Sequence, residues 1–174
     1  FAGADTLATA YSLACAVRTM GHFDLVLCGN ETVDSGTGQV GPQVAQLLGI
    51  TCITCVKEIV FQGEGTLVAK RAMERGHMKV KVNLPALIAV TKEINKPRLI
   101  TAFGIVEAAE KDVQVWGYED IGAELDNIGS KGSPTRVLET FEHRLGRKGG
   151  IMTGSPEEAV KKAIEKIREL GGLI

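Results

Sequence analysis

The sequence predicts an α/β protein: an open, mostly parallel sheet extended by antiparallel strands, then a C-terminal arm and helix. Three observations predict it. Helical and strand-like segments alternate over about the first 60 residues. Three short strand-like runs separated by glycine turns follow, with no helix between them. A capped amphipathic helix then closes the chain after a long, weakly periodic stretch.

The elements follow in order. Residues 4–20, ADTLATAYSLACAVRTM, carry an apolar stripe of Leu7, Tyr11, Ala14 and Val17, with Asp5 to cap the start and Gly21 the end. Residues 23–28, FDLVLC, form a short apolar run, the pattern of a buried parallel strand. After a glycine-rich loop, PQVAQLL predicts a second helix with Pro42 as its first residue, where a missing N–H costs nothing, and Gly49 as its end. CITCVKEIVF is a strand. Over EIVFQGEGTLVAKRAMERGHMKVKVNLPALIAVT, the turns QGEG and ERGH separate strand-like runs. KVKVNL alternates and predicts one wet face, whereas LPALIAV is apolar throughout and predicts a central strand. KEINKPRLITAFG is a loop, IVEAAEK a short helix and VQVW a brief strand. Residues 117–150 are glycine-rich and aperiodic, as expected of an arm lying on another chain. In GSPEEAVKKAIEKIREL, Ser155 and Glu158 form a capping box with Pro156 at the first helical position. Val160, Ala163, Ile164, Ile167 and Leu170 make its apolar stripe, and Gly171 stops it.

Composition narrows the function. Of 174 residues, 44% are hydrophobic and 24% charged, which suits one globular domain with an extended tail. The 20 basic residues against 21 acidic ones offer no excess for holding a polyanion. No apolar run reaches the ~18 residues of a membrane span. The chain begins at Phe1 rather than Met, the expectation for a processed or partial chain. Cys52-Ile-Thr-Cys55 matches CxxC, but it lies in a β-branched run where residues three apart face opposite sides. Redox pairs need a turn and a helix N-terminus, so these cysteines are expected to be small strand hydrophobes, in a reducing compartment. His22, His77 and His143 show no ligand spacing with the cysteines, so no metal is expected. No nucleophile–base constellation or pair of catalytic carboxylates stands out.

The stretch CGNETVDSGTGQVGPQ, residues 28–43, holds the chemistry. GTGQVG fits G-x-G-x-x-G, but a dinucleotide fingerprint starts directly after its strand, and here seven residues, GNETVDS, intervene. The loop still has what a nucleotide site requires. It leaves the carboxyl end of a strand and runs into a helix N-terminus, whose free N–H groups favour anions. Gly36, Gly38 and Gly41 let backbone approach a phosphate, and Ser35 and Thr37 add hydroxyls. Glu31 and Asp34 would repel phosphate and suit ribose contact or loop bracing. The competing reading is an unliganded glycine-rich connection braced by Asp34.

Four blocks in order, AGADTLATAYSLA, FDLVLCGNETVDSGTGQVGPQVAQLLG, LPALIAVTKEINKPR and IGSKGSPTRV, resemble the β subunit of electron-transfer flavoproteins. The family's signature segment corresponds to KRAMERGHMKVKVNLPALIAVT. Arg71, Glu74, Gly76, Val80, Pro85 and Thr91 fit it, and Arg75 and Met78 depart from it. The resemblance covers the chain from Gly3 to the last helix, and the family subunit is longer at its N-terminus. It implies a Rossmann-like nucleotide-binding domain, here residues 1–116, with residues 117–174 an arm and helix packing on the α subunit. Without the upstream strands, the sheet is expected to have an unpaired edge and marginal stability.

The resemblance implies an electron carrier between flavoprotein dehydrogenases of the acyl-CoA type and an acceptor, through an FAD shared with the α subunit. It also implies a second nucleotide, AMP or a second FAD, on Gly29, Asn30, Glu31, Thr32, Val33, Asp34, Ser35, Gly36, Thr37, Gly38, Gln39, Val40 and Gly41. Gly38 and Val40 stand where the simple, AMP-holding carriers have Asn and Thr. The T-x-Q-V-G-P form is more similar to bifurcating members, in which NADH reduces a second FAD. Ala102 and Phe103 fall in the family's dehydrogenase-recognition loop, which implies partner recognition, and the alternative for Phe103 is a packed core aromatic. Glu107 and Glu110 stand where the family has lysines, which would alter partner choice. The resemblance implies a bacterial cytoplasmic setting, or a mitochondrial matrix in a eukaryote. An NAD-dependent Rossmann dehydrogenase and a stand-alone adenine-nucleotide-binding module remain the alternatives.

Overall fold

The computed structural model describes residues 1–141 and 149–169. Its elements are α1 (Thr6–Met20), β1 (Leu25–Gly29), α2 (Val40–Leu48), β2 (Thr51–Phe61), β3 (Thr66–Ala72), β4 (His77–Asn83), β5 (Ala86–Val90), α3 (Ala102–Ala109) and α4 (Pro156–Glu169). The chain divides into two compact units, Phe1–Arg136 and Val137–Ile174.

The first unit is built on a five-stranded sheet in the order β1-β5-β2-β3-β4. β5 pairs parallel with both β1 and β2, while β2–β3 and β3–β4 are antiparallel. The open α/β sheet with an antiparallel extension is the one predicted. β5 is central because every residue from Ala86 to Ala89 is apolar and buried. β4 is an edge strand that buries Val82 and keeps Lys79 and Lys81 exposed, which discourages pairing with another chain.

One face of the sheet carries a core of Val56, Leu67, Ala69, Val82, Ala86 and Ile88. On the other face Leu87 packs under α1 and α2, against Ala10, Val44 and Ala45. Small residues dominate where α1 packs: Ala8, Ala10, Ser12, Ala14 and Cys15 are its buried positions. The predicted stripe is corrected accordingly. Of Leu7, Tyr11, Ala14 and Val17 only Ala14 is buried, because close packing of α1 selects small side chains and leaves the larger ones at the margins.

Further expectations change. FDLVLC, read as a buried strand, gives β1, which is an edge strand with no fully buried residue and Leu27 exposed, because only β5 pairs with it. Pro42 is the third residue of α2 rather than the first, a position whose N–H would also lack an intrahelical partner. β2 is not a plain strand: its register with β5 shifts between Ile53 and Val56, and Cys55 sits there at φ 58. Residues 113–116 form no strand: Val113 and Val115 stand exposed, and among the described residues no strand pairs with them.

Part of the irregular stretch belongs to the first unit. The N–H of Glu124 donates to Tyr11 Oη at 3.2 Å, and Ala123 and Ser133 are buried. In the second unit α4 begins with the predicted capping box. Glu158 N–H donates to Ser155 Oγ (3.3 Å), and Ser155 N–H to Glu158 Oε2 (3.2 Å). Val160, Ile164 and Ile167 of its stripe are exposed, whereas Leu170 and Gly171 lie outside the described residues.

Candidate functional site: the cleft after the first strand

The loop from Gly29 to Gln39 is organised by its own polar groups. Asn30 N–H donates to Val90 C=O at 3.0 Å, extending the β1–β5 pairing. The Asn30 carboxamide oxygen accepts the N–H of Cys55 at 2.9 Å. Beyond it the chain closes a turn in which Gly36 N–H donates to Thr32 C=O at 2.8 Å and the Thr32 and Ser35 hydroxyls lie 2.8 Å apart. The Thr32 hydroxyl, with the backbone N–H groups of Asp34 and Ser35, holds the Asp34 carboxyl below its ordinary range. This turn accounts for the residues between Gly29 and Gly36 that no tight fingerprint turn contains. Gly36 and Gly38 take φ +58 and +60, which only glycine adopts without strain.

The loop delivers the chain to α2 with an open N-terminus. Gln39 occupies the cap position in a helical conformation and makes no capping bond; its Oε1 accepts the Thr6 hydroxyl at 3.0 Å instead. No acidic residue lies in the first turn of α2. The N–H groups of Val40 and Gly41 thus have no helical partner and sit at the positive end of the helix dipole. Gly41 also sets how closely α2 meets the sheet, since a Cβ there would stand 2.8 Å from Cys28 Sγ and 3.6 Å from Leu87 Cδ2. That is the packing role of the third glycine in a dinucleotide fingerprint, met here despite the longer loop.

These parts open onto a cleft of about 870 Å³, within the range of small-molecule sites. Of the thirteen predicted cofactor residues, Gly29, Asn30, Glu31, Thr32, Asp34, Ser35, Thr37, Gly38, Gln39, Val40 and Gly41 line it. Val33 and Gly36 do not, and Val33 is fully exposed. The remaining wall was not foreseen. It comes from Asp5, Thr6, Thr9, Leu13 and Val17 on α1 and its cap, from Leu87 beneath, and from Thr135. The block AGADT, with a capping residue at the start of a helix, was the sequence signal available for part of it.

Asp5 caps α1 through Oδ1, which accepts Ala8 N–H at 3.0 Å, and Oδ2 accepts Thr135 N–H at 3.1 Å. The Ala8 bond first, then the bonds from Thr135, hold its carboxyl below the ordinary range against the opposing effect of desolvation.

All four cysteines are free, and burial pushes the Cys28 and Cys52 thiols up, away from thiolate character. Among the described residues no group of three or more His, Cys, Asp or Glu is placed to hold a metal, and no helix is long and apolar enough to cross a membrane. Ala102 and Phe103 lie apart from the cleft lining, as the first residues of α3. Phe103 is 84% exposed, which removes the alternative of a packed core aromatic.

Residues 1–120 match the family model described as the electron transfer flavoprotein domain. The chain is 38% identical over 168 residues to "Electron transfer flavoprotein subunit beta" of Thermoanaerobacterium thermosaccharolyticum, covering 96% of this chain and 64% of that protein. It is 36% identical over 170 residues to "Caffeyl-CoA reductase-Etf complex subunit CarD" of Acetobacterium woodii, covering 97% and 64%. It is 35% identical over 176 residues to "Acryloyl-CoA reductase electron transfer subunit gamma" of Anaerotignum propionicum, covering 97% and 66%. The chain thus spans just under two thirds of the length of these curated relatives.

Proposed function

The chain belongs to the electron transfer flavoprotein family, and from that premise we propose that it is the nucleotide-holding part of a β subunit that relays electrons. In this reading the subunit pairs with an α subunit, shares an FAD with it, and passes electrons between flavoprotein dehydrogenases or reductases of the acyl-CoA type and an acceptor. A flavin supplies the redox chemistry when bound; the chain supplies binding, orientation and tuning.

The observation that carries the cleft assignment is the uncapped N-terminus of α2, fed by a loop with two glycines at positive φ. The residues present fit an adenine nucleotide. Val40 and Gly41 offer free N–H groups to a phosphate, and Thr37 lines the same cleft with a hydroxyl. Glycine at 38 leaves the backbone uncovered there. Leu13, Val17 and Leu87 give the apolar surface that a base requires. Gly38 and Val40, in place of Asn and Thr, favour a second FAD over AMP.

The test is to purify the full-length subunit with its α partner, denature the complex and quantify flavin and AMP. Two FAD and no AMP per dimer supports the second flavin. One FAD and one AMP leaves the nucleotide site standing and removes the second flavin. No nucleotide beyond the shared FAD refutes the cleft assignment.

A further inference from the structure

Two helix N-termini face the cleft, and they differ in charge. That of α2 is uncapped, whereas that of α1 is closed by the Asp5 carboxylate, which accepts the Ala8 N–H. The other oxygen of the same carboxylate accepts the N–H of Thr135, a residue 130 positions away. Asp5 N–H donates to Ser133 Oγ at 2.8 Å, and the Ser133 hydroxyl donates to Gly129 C=O at 2.7 Å. Ser133 is 8% exposed. Gly129 takes φ +56, and a Cβ on it would stand 3.3 Å from Ala2 C=O. Residues 129–135 therefore form a strap tied to the start of α1 through Ser133 and Thr135, and Thr135 is carried into the cleft lining.

We propose that this strap is a working wall of the nucleotide cleft, with Thr135 facing the uncharged ribose-and-base end of the ligand and Asp5 a positioning residue that holds it there. The proposal rests on the reading of the cleft as an adenine-nucleotide site. Carboxylates stand on both walls, Asp5 on the strap side and Glu31 and Asp34 in the loop, so the free N–H groups of α2 fix which end lies where. A phosphate is attracted to those N–H groups, so the neutral part of the ligand lies on the strap side. Binding a ligand there orders two segments far apart in sequence, the 30–41 loop and the 129–135 strap.

The experiment uses the full-length protein, stripped of nucleotide and titrated with AMP. Hydrogen–deuterium exchange is expected to slow in both 30–41 and 129–135. Thr135→Ala, which leaves the Asp5–Ala8 cap intact, is expected to weaken AMP binding about fivefold, the loss of one hydrogen bond. Thr135→Ser is expected to restore it to within about twofold. Asp5→Ala is expected to speed exchange in the strap and weaken AMP about tenfold. Slowing confined to 30–41, or unchanged affinity in Thr135→Ala, overturns the strap as a wall. Slowing in neither segment overturns the nucleotide reading and the strap together.

Discussion

Gly41 lies so close to Cys28 that an added Cβ would stand 2.8 Å from the thiol sulfur, a separation real Cβ atoms essentially never show. The contact fixes the distance between α2 and β1, and with it the height of the free N–H groups above the sheet. Gly41→Ala gains some helix propensity, at most ~1 kcal/mol because the position is in the first turn. It forces a shift in a packed site, which costs ~1–3 kcal/mol. A net loss of ~1 kcal/mol or more is expected in denaturant unfolding. In a Cys28→Ala background the clash is gone, and Gly41→Ala should become neutral or slightly stabilising. Equal effects in both backgrounds would show that the sulfur does not set the spacing.

Asn30 and Cys55 make a second clamp. Cys55 holds φ 58, a conformation costing ~1–2 kcal/mol for a residue with a Cβ, and its N–H is satisfied by the Asn30 side chain. Asn30→Ala leaves that N–H without its acceptor and should cost ~1–2 kcal/mol. Asn30→Asp keeps an acceptor oxygen and should cost less. Cys55→Gly removes the strain and should be tolerated or mildly stabilising. A Cys55→Gly variant less stable than Asn30→Ala would mean the thiol's packing outweighs the strain.

The strap's bond to Asp5 gives a pH signature. The folded carboxyl is held below its ordinary value near 3.8, chiefly by the Ala8 N–H. A depressed pKa means the stabilisation is complete above the ordinary value and is lost as pH falls from there through the folded value. The stability difference between the protein and Asp5→Asn should be constant through neutral pH and shrink below about pH 4. Thermal melts at stepped pH read this directly, and a difference that grows on acidification would contradict the assignment.

These pairs also show what was legible. The α/β alternation, the apolar run of β5, the wet-faced alternation of β4 and the Ser155–Glu158 box depend on local pattern, and the structure has them where the pattern placed them. Eleven of the thirteen loop residues line the cleft because a glycine-rich connection at a strand's carboxyl end has few other places to go. The opposite wall was hidden because it depends on contacts 128 and 130 residues apart, Asp5 with Ser133 and Thr135, which no periodicity encodes. The bulge at Cys55 was missed for a related reason. The N–H of Cys55 is met by the Asn30 side chain, 25 residues away, and the sequence of β2 alone reads as an unbroken strand.

The choice between AMP and a second flavin concentrates on Gly38 and Val40. Gly38 takes φ +60, and a Cβ there would meet Asn30 C=O at 3.5 Å, an ordinary contact. Asn tolerates this left-handed conformation better than other residues with a Cβ, so Gly38→Asn should fold with a loss of ~1 kcal/mol or less. Its side chain would take space on the cleft wall and add an amide donor. Val40→Thr adds a hydroxyl at the first turn of α2, beside the free N–H groups. Together the two changes favour a compact ligand bearing one phosphate over an extended dinucleotide. In the complex with its α partner, the double variant should lose the second flavin and gain AMP, measured after denaturation. Two flavins and no AMP in the double variant would place the selectivity elsewhere in the subunit.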